Sequence, residues 1–276
     1  MGRIEYWLLG AVGALIAFIA FESVKSAAEP RRYGLEVVQA GGPRGDALGD
    51  KSAAQDSVDS REPARATSGD VHSAVLPSRR RPPVRNVAEI RQRIADASAK
   101  TYILDMLAMR DSMLFRWPDS RDEALRVWIQ PDSHVRDWWL GYVQSARDVF
   151  LEWQTAGVPL RFQFPADSAG ADIVVKWIDQ FPAGDRRIGN THRVADQNAW
   201  VTYAEVVISL HDPDGDRFPP GEISEILRHE IGHALGLGHS HNRETIMYPE
   251  STQLEITEMD KETLHLLYTL PPGRVR

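Results

Sequence analysis

The chain has 276 residues, of which 42% are hydrophobic and 26% are charged, and its formal net charge is −7. Residues 112–276 carry a net charge of −9, which argues against the basic footprint of a nucleic-acid-binding domain. The absence of cysteine excludes disulfides, cysteine-ligated zinc sites and thiol catalysis.

The first 28 residues have the pattern of a targeting element. Arg3 precedes an apolar run from Tyr6 to Phe21, and the small residues Ser26–Ala28 come later. As a helix the run would be about 24 Å long, while the apolar core of a bilayer is ~30 Å thick. It therefore predicts either a cleaved signal peptide or a signal anchor. In both cases the rest of the chain is expected outside the cytoplasm, either secreted or held at the membrane.

Two segments are predicted between this element and the folded domain. Residues 29–85 are rich in Gly, Pro, Ser, Ala and Arg, so they bury too little apolar surface to offset the entropy lost on ordering. They are predicted to form a disordered linker. Residues 86–111 place apolar side chains at helical spacing and are predicted to be helical. The pattern fits a pro-segment, a stalk, or a helix packed on the following domain.

Residues 112–276 are predicted to form one domain of strands and helices. Strand-like patterns occur at 126–130, 160–164, 172–178 and 201–210. From His134 to Gln154, apolar residues recur at the spacing of a long amphipathic helix. Pro219–Glu222 opens a second helix, because proline suits the first helical turn and glutamate suits its positive end. This order of elements predicts an α/β sheet layout.

The second helix carries the stretch HEIGHALGLGHS, which begins at His229. Because His229 and His233 are four residues apart, both imidazoles project from one helix face and can bind one metal ion at ~2.0–2.1 Å. Glu230 lies near that ion but is angled away from ligation. Gly236 can take the left-handed backbone that ends a helix, and the returning chain brings His239 to a third ligand position. The alternative is an ordinary helix with chance histidines, which the added glycine and third histidine disfavour.

The motif HExxHxxGxxH in this stretch is identified as the zinc signature of the metzincin metallopeptidases. The following residues resemble the matrixin branch, the matrix-metalloproteinase-like metzincins. Ser240 follows the third histidine, and Ile246–Pro249 (IMYP) resembles the Met-turn of that branch. Thr257 and Asp260 resemble a capping box at the start of the family's closing helix. The resemblance covers about residues 114–270. The compact layout and the lack of disulfides favour a bacterial source.

The resemblance implies a metzincin-like zincin fold of the α/β (α+β) class. That fold has a mixed twisted sheet, a long packing helix, an active-site helix and a C-terminal helix. The resemblance also implies a zinc endopeptidase in which His229, His233 and His239 hold one Zn²⁺ and leave a position for water. Glu230 would act as general base toward the zinc-activated water and then as general acid toward the leaving amine. Met247 would form a hydrophobic floor beneath the metal.

Several substrate contacts are implied in the same way. Tyr248 and Pro249 would shape the pocket for the substrate side chain after the scissile bond. Arg187–Val194 resembles the edge strand to which an extended peptide adds, although an irregular loop fits it equally well. The expected partners are protein or peptide substrates, together with the membrane if the N-terminal segment is not cleaved. No nucleic-acid partner is expected.

Two other functions stay open at this point. One is a membrane-tethered zinc-binding module without turnover, and the other is a metal-dependent hydrolase of a non-peptide amide. The intact Glu230 argues against the first, because a pure metal scaffold does not need that carboxylate. Pocket shape would decide the second.

Other polar clusters give weaker signals. The loop Asp212–Asp216 (DPDGD) resembles a Ca²⁺ loop, but its glycine comes too early for an EF-hand and no properly spaced glutamate follows. A solvated turn is the favoured interpretation, with calcium as the alternative. Four histidines have no metal partners at ligand spacing and are expected at the surface or at helix edges: His134, His211, His241 and His265.

Overall fold

The computed structural model describes Pro77, Pro83 and residues 85–118 and 123–275. The predicted targeting segment, residues 1–28, and nearly all of the predicted linker, residues 29–85, lie outside these residues. Among the described residues, no helix combines the length and the apolar character needed to cross a bilayer.

The described residues form helices, a central sheet and a small second sheet. The helices are α1 (Val87–Ala97), α2 (Ile103–Met109), α3 (Gly141–Thr155), α4 (Pro220–Ala234) and α5 (Glu258–Thr269). The strands are β1 (Met113–Leu114), β2 (Leu125–Ile129), β3 (Phe162–Gln163), β4 (Ile173–Ile178), β5 (Gly189–Ala195), β6 (Val201–Ser209) and β7 (Gly273–Arg274). The central sheet has the strand order β3-β2-β4-β6-β5, and β1 pairs with β7. This mixed α/β architecture confirms the predicted fold class.

The central sheet is parallel except at one edge. Strands β3, β2, β4 and β6 run parallel to one another, whereas β5 pairs with β6 in the antiparallel direction. The apolar run IVVKWI in β4 is typical of a strand buried on both faces of a parallel sheet. Helix α4 contacts the long helix α3 as well as β5 and β6. It therefore lies beside the edge strand β5 and its neighbour β6.

The segment 187–194, for which a strand and a loop were equally compatible, contains the edge strand β5. The long helix begins later than its apolar spacing predicts, at Gly141 rather than near His134. Asp137 has a φ of 59°, and this left-handed backbone is incompatible with a continuous right-handed helix. Strand β3 is also shorter than the predicted segment 160–164.

Residues 86–111 form two helices that pack on the rest of the domain. The Arg93 guanidinium donates a hydrogen bond to the carbonyl oxygen of Thr269 over 3.0 Å, and the Tyr102 hydroxyl donates to Asp260 Oδ1 over 3.1 Å. The Asp105 carboxylate accepts the main-chain N–H of His241 at 2.9 Å. These contacts show that the segment is packed on the domain, while a role as a pro-segment or a stalk stays a prediction.

Three buried aromatic donors hold the C-terminal half of α4. The indole N–H of Trp153 donates to the carbonyl oxygen of Arg228 over 3.1 Å, and that of Trp117 donates to Ala234 over 2.8 Å. The Tyr268 hydroxyl donates to the carbonyl oxygen of Leu235 over 2.8 Å. The last carbonyls of a helix have no partner within the helix, so Trp117 and Tyr268 satisfy groups that burial would otherwise leave unpaired. Arg228 lies before the last turn of α4, so Trp153 adds a second donor to its carbonyl oxygen.

Glu225 on α4 gives the domain a pH-dependent stability. Burial, and then the neighbouring Glu222, raises the pKa of Glu225 from 4.5 to about 7. Between pH 4.5 and about pH 7 the folded state binds more protons than the unfolded state. The free energy of unfolding therefore falls as the pH rises through this range. We expect Glu225→Gln to raise the free energy of unfolding at pH 8 by about 1 kcal/mol after allowance for solvent screening. At pH 4 the variant and the wild type should be equally stable.

Thermal unfolding of both proteins at the two pH values measures this effect, and about 1 kcal/mol corresponds to a rise of roughly 3 °C in Tm. Glu262→Gln is the matched control, because Glu262 is an exposed glutamate on α5. Equal gains at pH 4 and pH 8 would contradict the ionisation of Glu225 as the cause.

Candidate metal centre

Helix α4 places two histidines and a glutamate at the centre of the domain. His229 and His233 project from one face of the helix, with ring centroids 4.7 Å apart. His229 is only 3% exposed and Glu230 only 2% exposed, so both lie in the domain interior. Polar side chains are buried at this depth only where hydrogen bonds or a metal compensate for lost hydration.

His239, the third histidine, is brought to the other two by a tight turn at the C-terminal end of α4. Gly236 has a φ of 117°, and a Cβ at this position would lie 2.7 Å from the carbonyl oxygen of Phe115. The N–H groups of Gly236 and Leu237 donate to the carbonyls of His233 and Gly232, which is the Schellman arrangement. The chain then reverses and presents His239 to the face of α4.

The loop that carries His239 is tied to the Met-turn. The main-chain N–H of Ser240 donates to the carbonyl oxygen of Met247 over 2.9 Å. Met247 is fully buried, and a Cβ at Gly232 would lie 2.5 Å from its sulfur. Met247 therefore packs directly against the active-site helix, as expected for a hydrophobic floor. Tyr248 and Pro249 follow it in a half-buried turn.

The three imidazoles converge through their Nε2 atoms. Nδ1 of His229 donates to the carbonyl oxygen of Ile246 over 2.7 Å, and Nδ1 of His233 donates to that of Leu237 over 3.1 Å. These bonds fix the tautomers of His229 and His233 and leave the Nε2 atom of each with a free lone pair. Nε2 of His233 lies 3.2 Å from Nε2 of His239, and one ligand atom from each of the three rings lies within 4.8 Å of the others.

This donor set fits a zinc ion. Tetrahedral Zn–N bonds of ~2.0–2.1 Å separate two nitrogen ligands by about 3.3 Å, close to the distance between His233 and His239. Nε2 of His229 is buried and has no hydrogen-bond partner among the described residues, as expected of an atom reserved for a metal. Zinc binding by these three residues remains a prediction that the geometry supports.

Burial keeps all three rings neutral. It lowers the pKa of His229 to about 4 and that of His239 to about 3, and it lowers the pKa of His233 well below its ordinary value. His229 and His239 lower the pKa of His233 further, and His229 lowers that of His239, because a charge on one ring opposes a charge on the next. Neutral imidazole is the form that binds a metal, so the cluster is ready to bind at neutral pH.

Glu230 has the properties of a group that exchanges protons near neutral pH. Burial raises its pKa to about 7, while a hydrogen bond from Thr191 and the charge of Arg187 act in the opposite direction. The Thr191 hydroxyl lies 2.6 Å from Oε2 of Glu230. Thr191 could not be identified from the sequence, because nothing in the strand pattern reveals which helix residue a hydroxyl 39 positions away will meet.

The loop 212–216 closes on itself. Oδ1 of Asp212 accepts the main-chain N–H groups of Asp214 and Asp216, each at 2.9 Å. Its carboxylate is thus engaged by the turn, in agreement with the interpretation favoured from the sequence. Calcium binding here stays a prediction.

His211, which was expected at the surface or at a helix edge, is buried, so that expectation was wrong. It is only 2% exposed and lies between two aspartates. Nε2 is 3.0 Å from Oδ2 of Asp137, and Nδ1 is 2.7 Å from Oδ1 of Asp179, the latter at ion-pair distance but not aligned for a hydrogen bond. The two carboxylates approach opposite sides of the ring and therefore do not chelate one ion together with it.

Comparison with known proteins relates the whole centre to one family. Residues 141–269 match the family model of the matrixins. Metalloendoproteinase 2-MMP of Arabidopsis thaliana is 35% identical over 89 residues, 31% of this chain and 22% of that protein. Metalloendoproteinase 1-MMP of the same plant is 31% identical over 114 residues, 37% of this chain and 30% of that protein. This chain thus spans less than a third of either relative. Since both are plant proteins, a bacterial source stays a prediction.

Proposed function

We propose that this chain, whose residues 141–269 belong to the matrixin family, is a zinc-dependent endopeptidase with Glu230 as its general base and acid. One observation carries the proposal. Three neutral imidazoles converge to within 4.8 Å, and a buried carboxyl occupies the next helix position after the first of them. This is the set of groups needed to bind a metal and to move a proton beside it.

The proposed roles follow from the properties of the side chains. A Zn²⁺ ion held by His229, His233 and His239 supplies a Lewis acid that lowers the pKa of water and polarises a carbonyl. Glu230 takes up a proton from the attacking water and passes it to the leaving amine nitrogen as the C–N bond breaks. Burial disfavours the charged form of this carboxyl and so raises its pKa, which favours a group that can accept a proton as well as return it.

The substrate is proposed to bind along the sheet edge. Strand β5 pairs on one side with β6, and its other side forms the edge of the central sheet. An extended peptide can add there as a further strand through main-chain hydrogen bonds. Tyr248 and Pro249 are proposed to form part of the pocket for the side chain after the scissile bond. An edge strand beside α4 supports this arrangement, since α4 carries Glu230.

We place the activity outside the cytoplasm, on the basis of residues 1–28. The apolar run Tyr6–Phe21 would either hold the chain at a membrane or be removed as a signal peptide. The catalytic domain would then meet protein or peptide substrates in an extracytoplasmic compartment.

Removal and return of metal tests the proposed function. We expect the full-length chain to bind one zinc ion and to cut internal bonds of a mixed peptide library, with the cut sites read by mass spectrometry. Cleavage should stop after treatment with a chelator and return with Zn²⁺ but not with Ca²⁺ alone. Zinc binding without any cleavage would instead favour a silent zinc-binding module or a non-peptide amide substrate. Failure to bind zinc would contradict the histidine site itself.

A further inference from the structure

We infer that Thr191 is a positioning residue that holds the carboxyl group of Glu230 in its working orientation, and that Gly189 provides the space for it. This inference rests on the proposed function and extends it from α4 to the edge strand β5. It concerns the orientation of the Glu230 carboxyl group, which neither the metal ligands nor the zinc motif determines.

The Thr191 hydroxyl contacts Glu230 at two places. Its oxygen lies 2.6 Å from Oε2 and 2.9 Å from the main-chain carbonyl oxygen of the same residue. The hydroxyl has one proton, which it donates to the ionised carboxylate in a charge-assisted hydrogen bond. When the carboxyl is protonated, its O–H can donate to the Thr191 oxygen, and the hydroxyl then donates to the main-chain carbonyl oxygen. The contact with the carbonyl oxygen keeps the hydroxyl at this level of α4. One side chain therefore aligns both the helix and the carboxyl group with β5.

Gly189 lies against the other side of the same carboxyl group. A Cβ at Gly189 would lie 2.5 Å from Oε1 of Glu230, 2.7 Å from Cγ and 2.9 Å from Cδ. Positions 189 and 191 are two residues apart on one strand, so they face the same side of the sheet. The carboxyl of Glu230 thus fits into a space formed by a missing side chain at one position and a hydroxyl at the other.

The nearby guanidinium group of Arg187 does not replace the hydrogen bond between Thr191 and the Glu230 carboxyl group. The Arg187 guanidinium donates to Asp185 through Nε and Nη2 and to Asn190 Oδ1 through Nη1, the last over 2.8 Å. Its charge lowers the pKa of Glu230, but these hydrogen bonds direct its donors elsewhere. The short bond to the carboxylate comes from Thr191. Removal of that hydroxyl leaves a buried carboxyl that can turn away from the reacting atoms.

The test compares Thr191→Val, Thr191→Ser and Thr269→Val in the zinc-loaded full-length chain. Valine keeps the branched shape and removes the hydroxyl, whereas serine keeps the hydroxyl. Thr269 is the matched control, because its hydroxyl bonds only the local carbonyl of Leu266 near the end of α5. We expect Thr191→Val to lower kcat by about 10–100-fold, since a misplaced catalytic group costs a factor of this order. KM and zinc content should stay unchanged, and serine should restore most of kcat.

A crystal structure of Thr191→Val provides a readout that does not depend on turnover. We expect the Glu230 carboxyl to be displaced or divided between rotamers, while the three histidines stay in place. The inference is overturned if the carboxyl keeps its position, if kcat matches the wild type, or if the variant loses zinc. In those cases the proposed function stands as long as the wild type cleaves. If the wild type cleaves nothing, the proposed function fails, and the position of the carboxyl still decides the inference.

Discussion

Glu230→Gln is expected to lower kcat for peptide cleavage by about 10²–10⁴-fold, the usual contribution of a general acid–base group. The amide has nearly the same shape as the carboxyl and can still accept a hydrogen bond from Thr191. It cannot take up a proton from water at neutral pH. Zinc should stay bound in the same amount, because Glu230 does not belong to the set of converging imidazoles. Zinc analysis and steady-state kinetics on one library-derived peptide measure both effects.

Glu225→Gln is the matched control for this substitution. Glu225 lies on the same helix, five residues before Glu230, and does not belong to the group of converging imidazoles. We expect it to keep the kcat of the wild type. If Glu230→Gln cleaved as fast as the wild type, a different group would have to move the proton, and the mechanism proposed for Glu230 would be wrong.

Asp260→Ala is expected to lower the free energy of unfolding by about 3–5 kcal/mol, because it leaves several buried donors without an acceptor. Oδ1 of Asp260 accepts the Tyr102 hydroxyl at 3.1 Å. Oδ2 accepts the main-chain N–H groups of Ile246 and Thr257 at 3.0 and 2.9 Å. The carboxylate therefore joins the N-terminal helices, the Met-turn and the capping box of α5. The corresponding fall in Tm is roughly 10 °C.

The same substitution should also weaken zinc binding by about tenfold, the low end of the range for groups that support metal ligands. Ile246 is the link, since its carbonyl oxygen accepts the Nδ1–H of His229. Calorimetry and competition with a zinc-binding dye measure stability and affinity. Asp148→Asn, at an exposed helix position where Oδ1 accepts from Gln144, is the control and should change neither. An unchanged zinc affinity in Asp260→Ala would break the proposed link between α5 and His229.

The convergence of the residues at the candidate metal centre could be predicted from the sequence because the centre is local. Its ligands lie within one helix and the turn that follows, so the positions of His229 and His233 on one face and the reversal at Gly236 follow from helix geometry. The sheet could be predicted for a similar reason, since apolar runs and alternation are read over a few residues. The edge strand β5 has half-buried positions along most of its length, which explains why its pattern did not separate strand from loop.

Contacts between distant segments could not be predicted. Tyr102 and Asp260 are separated by 158 positions, and the sequence identified only the capping role of Asp260. Thr191 reads as an ordinary strand residue until the edge strand is placed beside α4. The late start of α3 has another cause: the apolar spacing continues through Val135 and Trp138, whereas the backbone at Asp137 leaves the helical region. Periodicity describes which side chains are apolar, not which backbone angles the chain adopts.

The packing of α1 and α2 determines where proteolysis could cut the chain without disturbing the folded domain. Asp105 holds the backbone of the loop beyond His239, and a Cβ at Gly238 would lie 3.1 Å from Met106. A cut within residues 86–111 would therefore disturb the contacts that support the loop around His239. A cut anywhere in residues 29–85 would leave every contact described above intact. If residues 1–28 hold the chain at a membrane, as proposed, such a cut would release the folded domain and extend the distance over which it can act.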